Sequence, residues 1–321
     1  MSLQLAFVVS TTGNPYWNLA VENYLVDESA ADQLTLYLWR NDRTVVVGRH
    51  QNPFTECDID LLLAEGGSLL RRTTGGGAVY HDYGNLNFSF VVPSDVYSVA
   101  RQFDVIGRAL MFFGLRSEPS GRNDLLVDGR KFSGNAFSKG RCHHLHHGTL
   151  LISGNLGDMQ RYLHPHPSKL ARHGVASVRS RVVNLADLAP VTAENIQPLL
   201  RDAFGQVYGA PPVDIAFDDL LQLGGVRQRH DLYASPAWLT DGWADFSTEC
   251  SASFPWGDVV LHLTVASGTV KALRIATDAL DVASITALQQ LLQGASIAHL
   301  PPLPDGVDPT IASDIYRLVT Q

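Results

Sequence analysis

The chain has 321 residues, 45% of them hydrophobic and 17% charged, with a formal net charge of −8 at pH 7. That length supports one large domain and a small one, and the mix is that of a soluble globular protein. The acidic balance argues against nucleic acid as a main partner, and no apolar run is long enough to span a bilayer.

In chain order, Asn14-Pro15 reads as an N-cap with proline at the first helical position, and Trp17, Ala20, Val21, Tyr24 and Leu25 follow at helical spacing. Leu34 to Trp39 and Thr44 to Val47 read as strands, and Ile59 to Glu65 as a short helix stopped by Gly66-Gly67. Ser68 to Arg72 leads as a strand into Thr73-Thr74-Gly75-Gly76-Gly77. Beyond it, Leu86, Phe88, Phe90 and Val92 alternate with Asn87, Ser89 and Val91 in a strand ended by Pro93. Val96 to Phe113 shows helical spacing, closed by Gly114.

Asp128-Gly129 between two apolar-rich runs signals a two-residue hairpin turn. The register it sets pairs Leu126 with Lys131 and Asp124 with Ser133. Lys131, Ser133 and Asp124 would then share a face, with Asp124 in reach of the lysine. A helix follows at Ile196 to Val207, and near residue 247 the periodicity lapses. We place a domain boundary there, giving units 1–247 and 248–321. The second holds a hairpin, Val259 to Val265 and Thr269 to Ile275, with helices at Ile285 to Leu292 and Ile311 to Val319.

The three glycines remove every Cβ from a stretch of backbone, so another molecule can approach its N–H groups. Arg71-Arg72 on one side and His81-Asp82 on the other suit a small anion, although a glycine run alone also fits a plain turn. From Arg161 to Arg181 the chain carries Arg161, Lys169, Arg172, Arg179 and Arg181 with no carboxylate, a pattern suited to polyphosphate or an acidic protein surface. His143, His144, His146 and His147 lack a second ligand type at metal spacing, save Cys142.

These segments resemble the lipoate–protein ligase family. The matching pieces run in order: Trp17-Asn18-Leu19-Ala20-Val21-Glu22, Val47-Gly48-Arg49 with Gln51-Asn52, the glycine segment, Asn123-Asp124 with Lys131, His146-His147-Gly148-Thr149-Leu150-Leu151, and Ser177 to Val182. Trp256-Gly257 with Leu261-His262 adds a weaker match near the C-terminus. The resemblance implies an α+β fold of the biotin/lipoyl ligase, class II synthetase-like type. A catalytic domain with a central mixed sheet would be followed by a small α+β C-terminal accessory domain. It implies ATP-dependent activation of lipoate to lipoyl-AMP, with Mg²⁺. Lipoyl would then pass to a lysine of an apo lipoyl domain of a 2-oxoacid dehydrogenase complex, or of glycine cleavage H protein. No permanently bound cofactor, no nucleic acid and no membrane enter this reading, and a cytoplasmic location is expected.

Such a reaction must hold two anions together, which calls for fixed cations and backbone donors. Lys131 can bridge carboxylate and α-phosphate oxygens, Arg72 adds a fixed charge, and Gly75, Gly76 and Gly77 offer N–H groups. Asn123 and Asp124 suit the nucleotide or, for Asp124, Mg²⁺; Arg179 suits the phosphate. By resemblance, Lys131 contacts the acyl-adenylate. In the same resemblance Arg72, Thr74, Gly75, Gly76 and Gly77, with His81 and Asn85, line the acyl pocket, and His147 and Gly148 close it; the hairpin register adds Ser133, beside Lys131, as a substrate-binding residue. Two alternatives stand beside this. One is an ATP-independent octanoyl or lipoyl transferase working through a Cys142 thioester with His143 or His144. The other is a non-catalytic lipoyl-domain binding protein.

Overall fold

The computed structural model describes residues 3–121, 123–164, 182–240, 248–266, 268–297 and 299–320. The strands are β1 (Gln4–Val9), β2 (Gln33–Trp39), β3 (Thr44–Val47), β4 (Ser68–Arg71), β5 (Val79–His81), β6 (Asn85–Pro93), β7 (Ser117–Ser120), β8 (Asp124–Val127), β9 (Arg130–Lys139), β10 (His143–Leu151), β11 (Val213–Ile215), β12 (Thr248–Phe254), β13 (Gly257–Ala266) and β14 (Thr269–Thr277). The α-helices are α1 (Pro15–Glu28), α2 (Pro53–Glu56), α3 (Ile59–Ala64), α4 (Val99–Met111), α5 (Leu156–Tyr162), α6 (Ala193–Tyr208), α7 (Phe217–Leu221), α8 (Gly224–Ala234), α9 (Pro236–Thr240), α10 (Val282–Leu292) and α11 (Pro309–Val319).

The main sheet has eight strands in the order β11-β1-β2-β6-β10-β9-β8-β7 among the described residues. It is mixed, as expected: β1 runs parallel to β2 and β11, and the other pairs are antiparallel. Strand β6 shows how the sheet is covered. Its Leu86, Phe88, Phe90 and Val92 pack under α4 and α6 with Val105, Ile106, Leu200 and Phe204. Ser89 and Val91 face the opposite layer, where α1 lies. Both faces are therefore buried, and the period-2 pattern separates an apolar face from one carrying polar groups.

A second sheet, β4-β3-β5, carries the glycine loop between β4 and β5. The third, β12-β13-β14, has its own core with α10 and α11, built on Leu261, Ile275, Ile285, Leu288 and Ile315. Local signals held well. Asn14 Oδ1 accepts the N–H groups of Tyr16 and Trp17 at the start of α1, and Asp128 and Gly129 take φ of 50° and 71°. The fourth helix begins three residues late, at Val99, because Ser98 Oγ caps it by accepting the Arg101 N–H.

One sequence expectation is corrected here. Leu126 does pair with Lys131, but a bulge follows, so Leu125 pairs with Ser133 and Asp124 with Gly134. The extra residue is Phe132, which drops into the main core. Ser133 thereby shares the face of Leu125 rather than that of Lys131 and is 1% exposed.

Candidate active site

The glycine loop is organised from beneath by Arg72. Its guanidinium donates to Thr74 Oγ1 (3.1 Å), Gly75 O (2.8 Å), Gly77 O (2.8 Å) and Val46 O (3.2 Å). In a trans peptide C=O and N–H point in opposite directions. Turning the Gly75 and Gly77 carbonyls toward Arg72 therefore turns the N–H groups of Gly76 and Ala78 outward. Burial pulls the Arg72 pKa down to about 10, with Glu22 opposing, so the cation persists at neutral pH. Arg72 thus holds the loop by hydrogen bonds to backbone and to Thr74.

The glycines are needed for space. Gly76 sits at φ 95°, and a Cβ there would lie 2.9 Å from Arg72 Nη2. A Cβ on Gly75 would collide with Ala279 O, and one on Gly48 with Gly76 O. Ala279 belongs to the C-terminal unit, and its carbonyl accepts the outward Gly76 N–H at 3.2 Å. Thr277 N–H donates to His50 O (3.2 Å), and His50 Nε2 meets Thr286 Oγ1 at 3.0 Å. The C-terminal unit is seated on the glycine loop.

Strand β10 brings a buried network to the same loop. His147 Nε2 is 2.8 Å from Thr74 Oγ1, and Nδ1 is 2.8 Å from Glu22 Oε1. The Glu22 carboxylate can only accept, so the Nδ1–H goes to Glu22, while Nε2 meets the Thr74 hydroxyl, which also accepts from Arg72. Trp39 Nε1–H donates to Ser89 Oγ (2.9 Å), which donates in turn to Glu22. Glu22 is fully buried, and its Oε2 has no partner among the described residues. In the sequence Glu22 stands out only as part of a matching segment, and nothing local marks Trp39 or Ser89 as its neighbours.

His81 lies beside Trp39 of this network, with ring centroids 6.1 Å apart. Asn18 Nδ2 donates to Asn41 Oδ1 (3.0 Å), which leaves Asn41 Nδ2 to face His81 Nδ1 at 3.3 Å. Burial first, then Arg72 and His147, push the His81 pKa down to about 3. The neutral ring accepts at Nδ1 and carries its proton on Nε2, which has no partner among the described residues. That N–H is left available as a donor. Asn85 Nδ2 donates to Asn87 Oδ1 (3.0 Å) on the same face of β6.

The second cluster surrounds Lys131, whose Nζ is 2.7 Å from Asp124 Oδ1, both groups part-exposed. Its amine lies across Gly134, where a Cβ would stand 3.2 Å from Nζ. The Lys131 carbonyl accepts the Val183 N–H at 2.9 Å. Asn123 Nδ2 donates to Asn135 O (2.7 Å). Strand β10 joins the two clusters: His147 reaches the glycine loop, while Thr149 Oγ1 accepts the Gly134 N–H (3.2 Å). Between them, Gly148 has no room for a Cβ, which would lie 2.6 Å from Asn135 Oδ1.

Other expected groups fall elsewhere. Arg179 lies outside the described residues, with Lys169, Arg172 and Arg181. Arg161 is no free cation, since it pairs with Glu65 and Asp158. Cys142 is exposed just before β10, five residues from His147, or about 16 Å along a strand. Its neighbour His143 is turned to Gln33 O (3.1 Å) and His144 to the Tyr97 ring. No cysteine–histidine pair is assembled beside the glycine loop among the described residues.

The mixed sheet, the glycine loop and the hairpin lysine joined by one strand define a catalytic unit of the biotin/lipoyl ligase type. The family model of the lipoyl protein ligase A/B catalytic domain matches residues 14–205, and that of the bacterial lipoate protein ligase C-terminus matches 244–299. The chain belongs to the lipoate–protein ligase family of enzymes. Lipoate-protein ligase A of Psychrobacter cryohalolentis is 37% identical over 90% of this chain and 88% of its own length. That of Bdellovibrio bacteriovorus is 37% identical over 91% and 88%. Among solved structures, P. falciparum LipL1 in complex with lipoate shares the fold, with a TM-score of 0.84, 24% identity and coverage of 98% and 99%. A bipartite lipoate protein ligase studied with its E2 lipoyl domain, from Thermoplasma acidophilum, gives 0.65 at 26% identity over 77% and 100%. A lipoate-protein ligase A bound with ATP gives 0.62 at 26% over 75% and 99%.

Proposed function

We propose that this ligase activates lipoate with ATP to a tightly held lipoyl-AMP and passes the lipoyl group to a lysine of an apo lipoyl domain or of glycine cleavage H protein. The observation that carries this reading is the placement of the Lys131 amine. It sits across Gly134 on a strand tied through β10 to the glycine loop, with no cysteine nucleophile beside it. The similar ligase bound with ATP supports the nucleotide, and the archaeal ligase studied with its lipoyl domain supports the acceptor.

In the first step a lipoate carboxylate oxygen attacks the α-phosphorus of ATP, an O–P bond forms, and pyrophosphate leaves. Lys131 exchanges Asp124 for the two sets of anionic oxygens it brings together, which offsets their repulsion as they meet. The Gly76 and Ala78 N–H groups are placed as donors, the former once Ala279 O yields it. His81 Nε2–H, with Glu22 and His147 behind Thr74, would line the acyl pocket with Asn85 and Gly148. Asp124, freed from Lys131, is a hard oxygen ligand that fits Mg²⁺, with Asn123 beside it at the nucleotide. Mg²⁺ would supply charge neutralisation on the leaving pyrophosphate. In the second step the neutral acceptor amine attacks the lipoyl carbonyl, the C–O bond to AMP breaks, and a proton leaves with the new amide formed.

Residues 1–247 would form the catalytic unit and 248–321 the accessory unit that seats on the loop. Incubation of the purified protein with lipoate and an apo lipoyl domain tests the reading. Acceptor mass should rise by one lipoyl group only when ATP is present, and no loading from free lipoate with ATP, but loading without ATP from a lipoyl or octanoyl thioester donor, would replace this reading with the thioester transferase.

A further inference from the structure

His146 follows the chain beside His147 but faces the other side of the sheet, toward α4. It is 0% exposed and ringed by Phe88, Phe90, Phe103 and Phe137 at centroid distances of 5.4, 5.9, 5.2 and 4.8 Å. No step above uses it. Both ring nitrogens are nonetheless engaged: Nε2 lies 2.9 Å from Asn135 Oδ1, and Nδ1 lies 2.7 Å from the Gln102 amide, placed with Oε1 toward it.

The neighbours fix where the protons are. Asn135 Nδ2 donates to the Asn123 carbonyl (3.0 Å), which can only accept. The Asn135 atom facing His146 is therefore oxygen, and His146 Nε2 must carry a proton. The phenyl cage removes water, and burial pushes the imidazole pKa down to about 3, so Nδ1 is bare. A bare Nδ1 needs a donor, and a half-turn of the Gln102 amide supplies its Nε2–H. Without that turn Gln102 Nε2 is a buried group with no partner among the described residues. With it, Nε2 meets the imidazole.

The far end of this chain of bonds is the turn that leads into β8. Asn135 N–H donates to Asn123 O (2.8 Å), and Asn123 Nδ2 returns a bond to Asn135 O (2.7 Å). The next residue, Asp124, holds Lys131.

We propose that His146, protonated on Nε2 alone, is a positioning residue for adenylation: it orients Asn135 and thereby the Asn123–Asp124 turn that seats Lys131. The inference rests on the ATP-dependent reading above, so wild-type pyrophosphate release, measured first, tests that reading separately. His146→Phe fills the cage but donates nothing, whereas His146→Gln places an amide N–H near the Nε2 position. Lipoate-dependent pyrophosphate release should fall by about tenfold or more in His146→Phe and stay within about threefold of wild type in His146→Gln. Transfer from preformed lipoyl-AMP to the acceptor should hold within about threefold in both, which a general loss of folded protein would not allow. In the wild-type protein, ring ¹⁵N spectra should show a protonated Nε2 and a bare Nδ1, unchanged between about pH 5 and 9. An Nδ1–H tautomer, or normal pyrophosphate release by folded His146→Phe, would overturn the proposal.

Discussion

Lys131 Nζ and Asp124 Oδ1 stand 2.7 Å apart on neighbouring strands of one hairpin, both part-exposed. An exposed pair of this kind adds little to stability. Its consequence is positional: the amine is held over Gly134 by a partner that phosphate oxygens can replace.

Lys131→Ala is therefore predicted to leave the fold intact and remove adenylation. Lipoate-dependent pyrophosphate release should fall by at least about a hundredfold, the scale for losing a charge that acts on the transition state. Near-normal release by the folded variant would take Lys131 out of the reaction.

Glu22→Ala should cost stability and lipoate affinity together. It leaves the His147 Nδ1–H and the Ser89 hydroxyl without their buried acceptor, at about 1–3 kcal/mol for each such group. Thermal unfolding and the KM for lipoate are the readouts. An unchanged lipoate KM would show that the Glu22–His147–Thr74 chain does not shape the acyl site.

Gly75→Ala should unseat the C-terminal unit, since the new Cβ collides with Ala279 O. Hydrogen exchange at the Gly76 and Thr277 amides should accelerate, because both donate across that contact. Full protection of both amides in the variant would mean that the contact adapts.

Stability should fall on acidification through two buried imidazoles. His81 and His146 are both depressed from 6.5 to about 3 in the folded protein. Between about pH 6.5 and 3 the unfolded chain binds protons that the folded one does not, so each lowers stability progressively as the pH falls, with a slope approaching one proton. The contribution is complete above about pH 6.5. In chemical denaturation across this range, His81→Gln should lower the slope by about one proton. An unaltered slope would show that His81 is not held neutral.

Cys142→Ser should retain most activity, since the residue is exposed and remote from the glycine loop along β10. Intact mass after incubation with lipoate and ATP should show no acyl adduct. An adduct at Cys142 would establish the thioester route.

Much of the fold was legible because its signals are local. Asn14-Pro15 caps a helix, Asp128-Gly129 takes the two positive φ values its turn needs, and β6 alternates between an apolar face and one that carries Asn87 and Ser89 beside Val91. The Ser133 placement failed because a bulge leaves no trace in turn chemistry, and Phe132 entered the core instead. In the site, the glycine loop and Lys131 were visible as unusual local composition and as resemblance. The groups behind them were not. Glu22 and His147 are 125 residues apart, and His146 and Gln102 are 44 apart, so only the folded sheet brings them together. Arg72 was read as a charge for the ligand, yet its bonds go to loop carbonyls and Thr74, a role that sequence spacing does not encode.

The most direct test of the central claim is an acid-quenched single turnover with lipoate, Mg²⁺ and ATP labelled on the α-phosphate, with the acceptor left out. The account predicts that label accumulates as lipoyl-AMP, free of covalent attachment to the protein, and is released as AMP once an apo lipoyl domain is added. Lipoyl recovered covalently on the protein, or acceptor loading with no labelled adenylate formed, would contradict it.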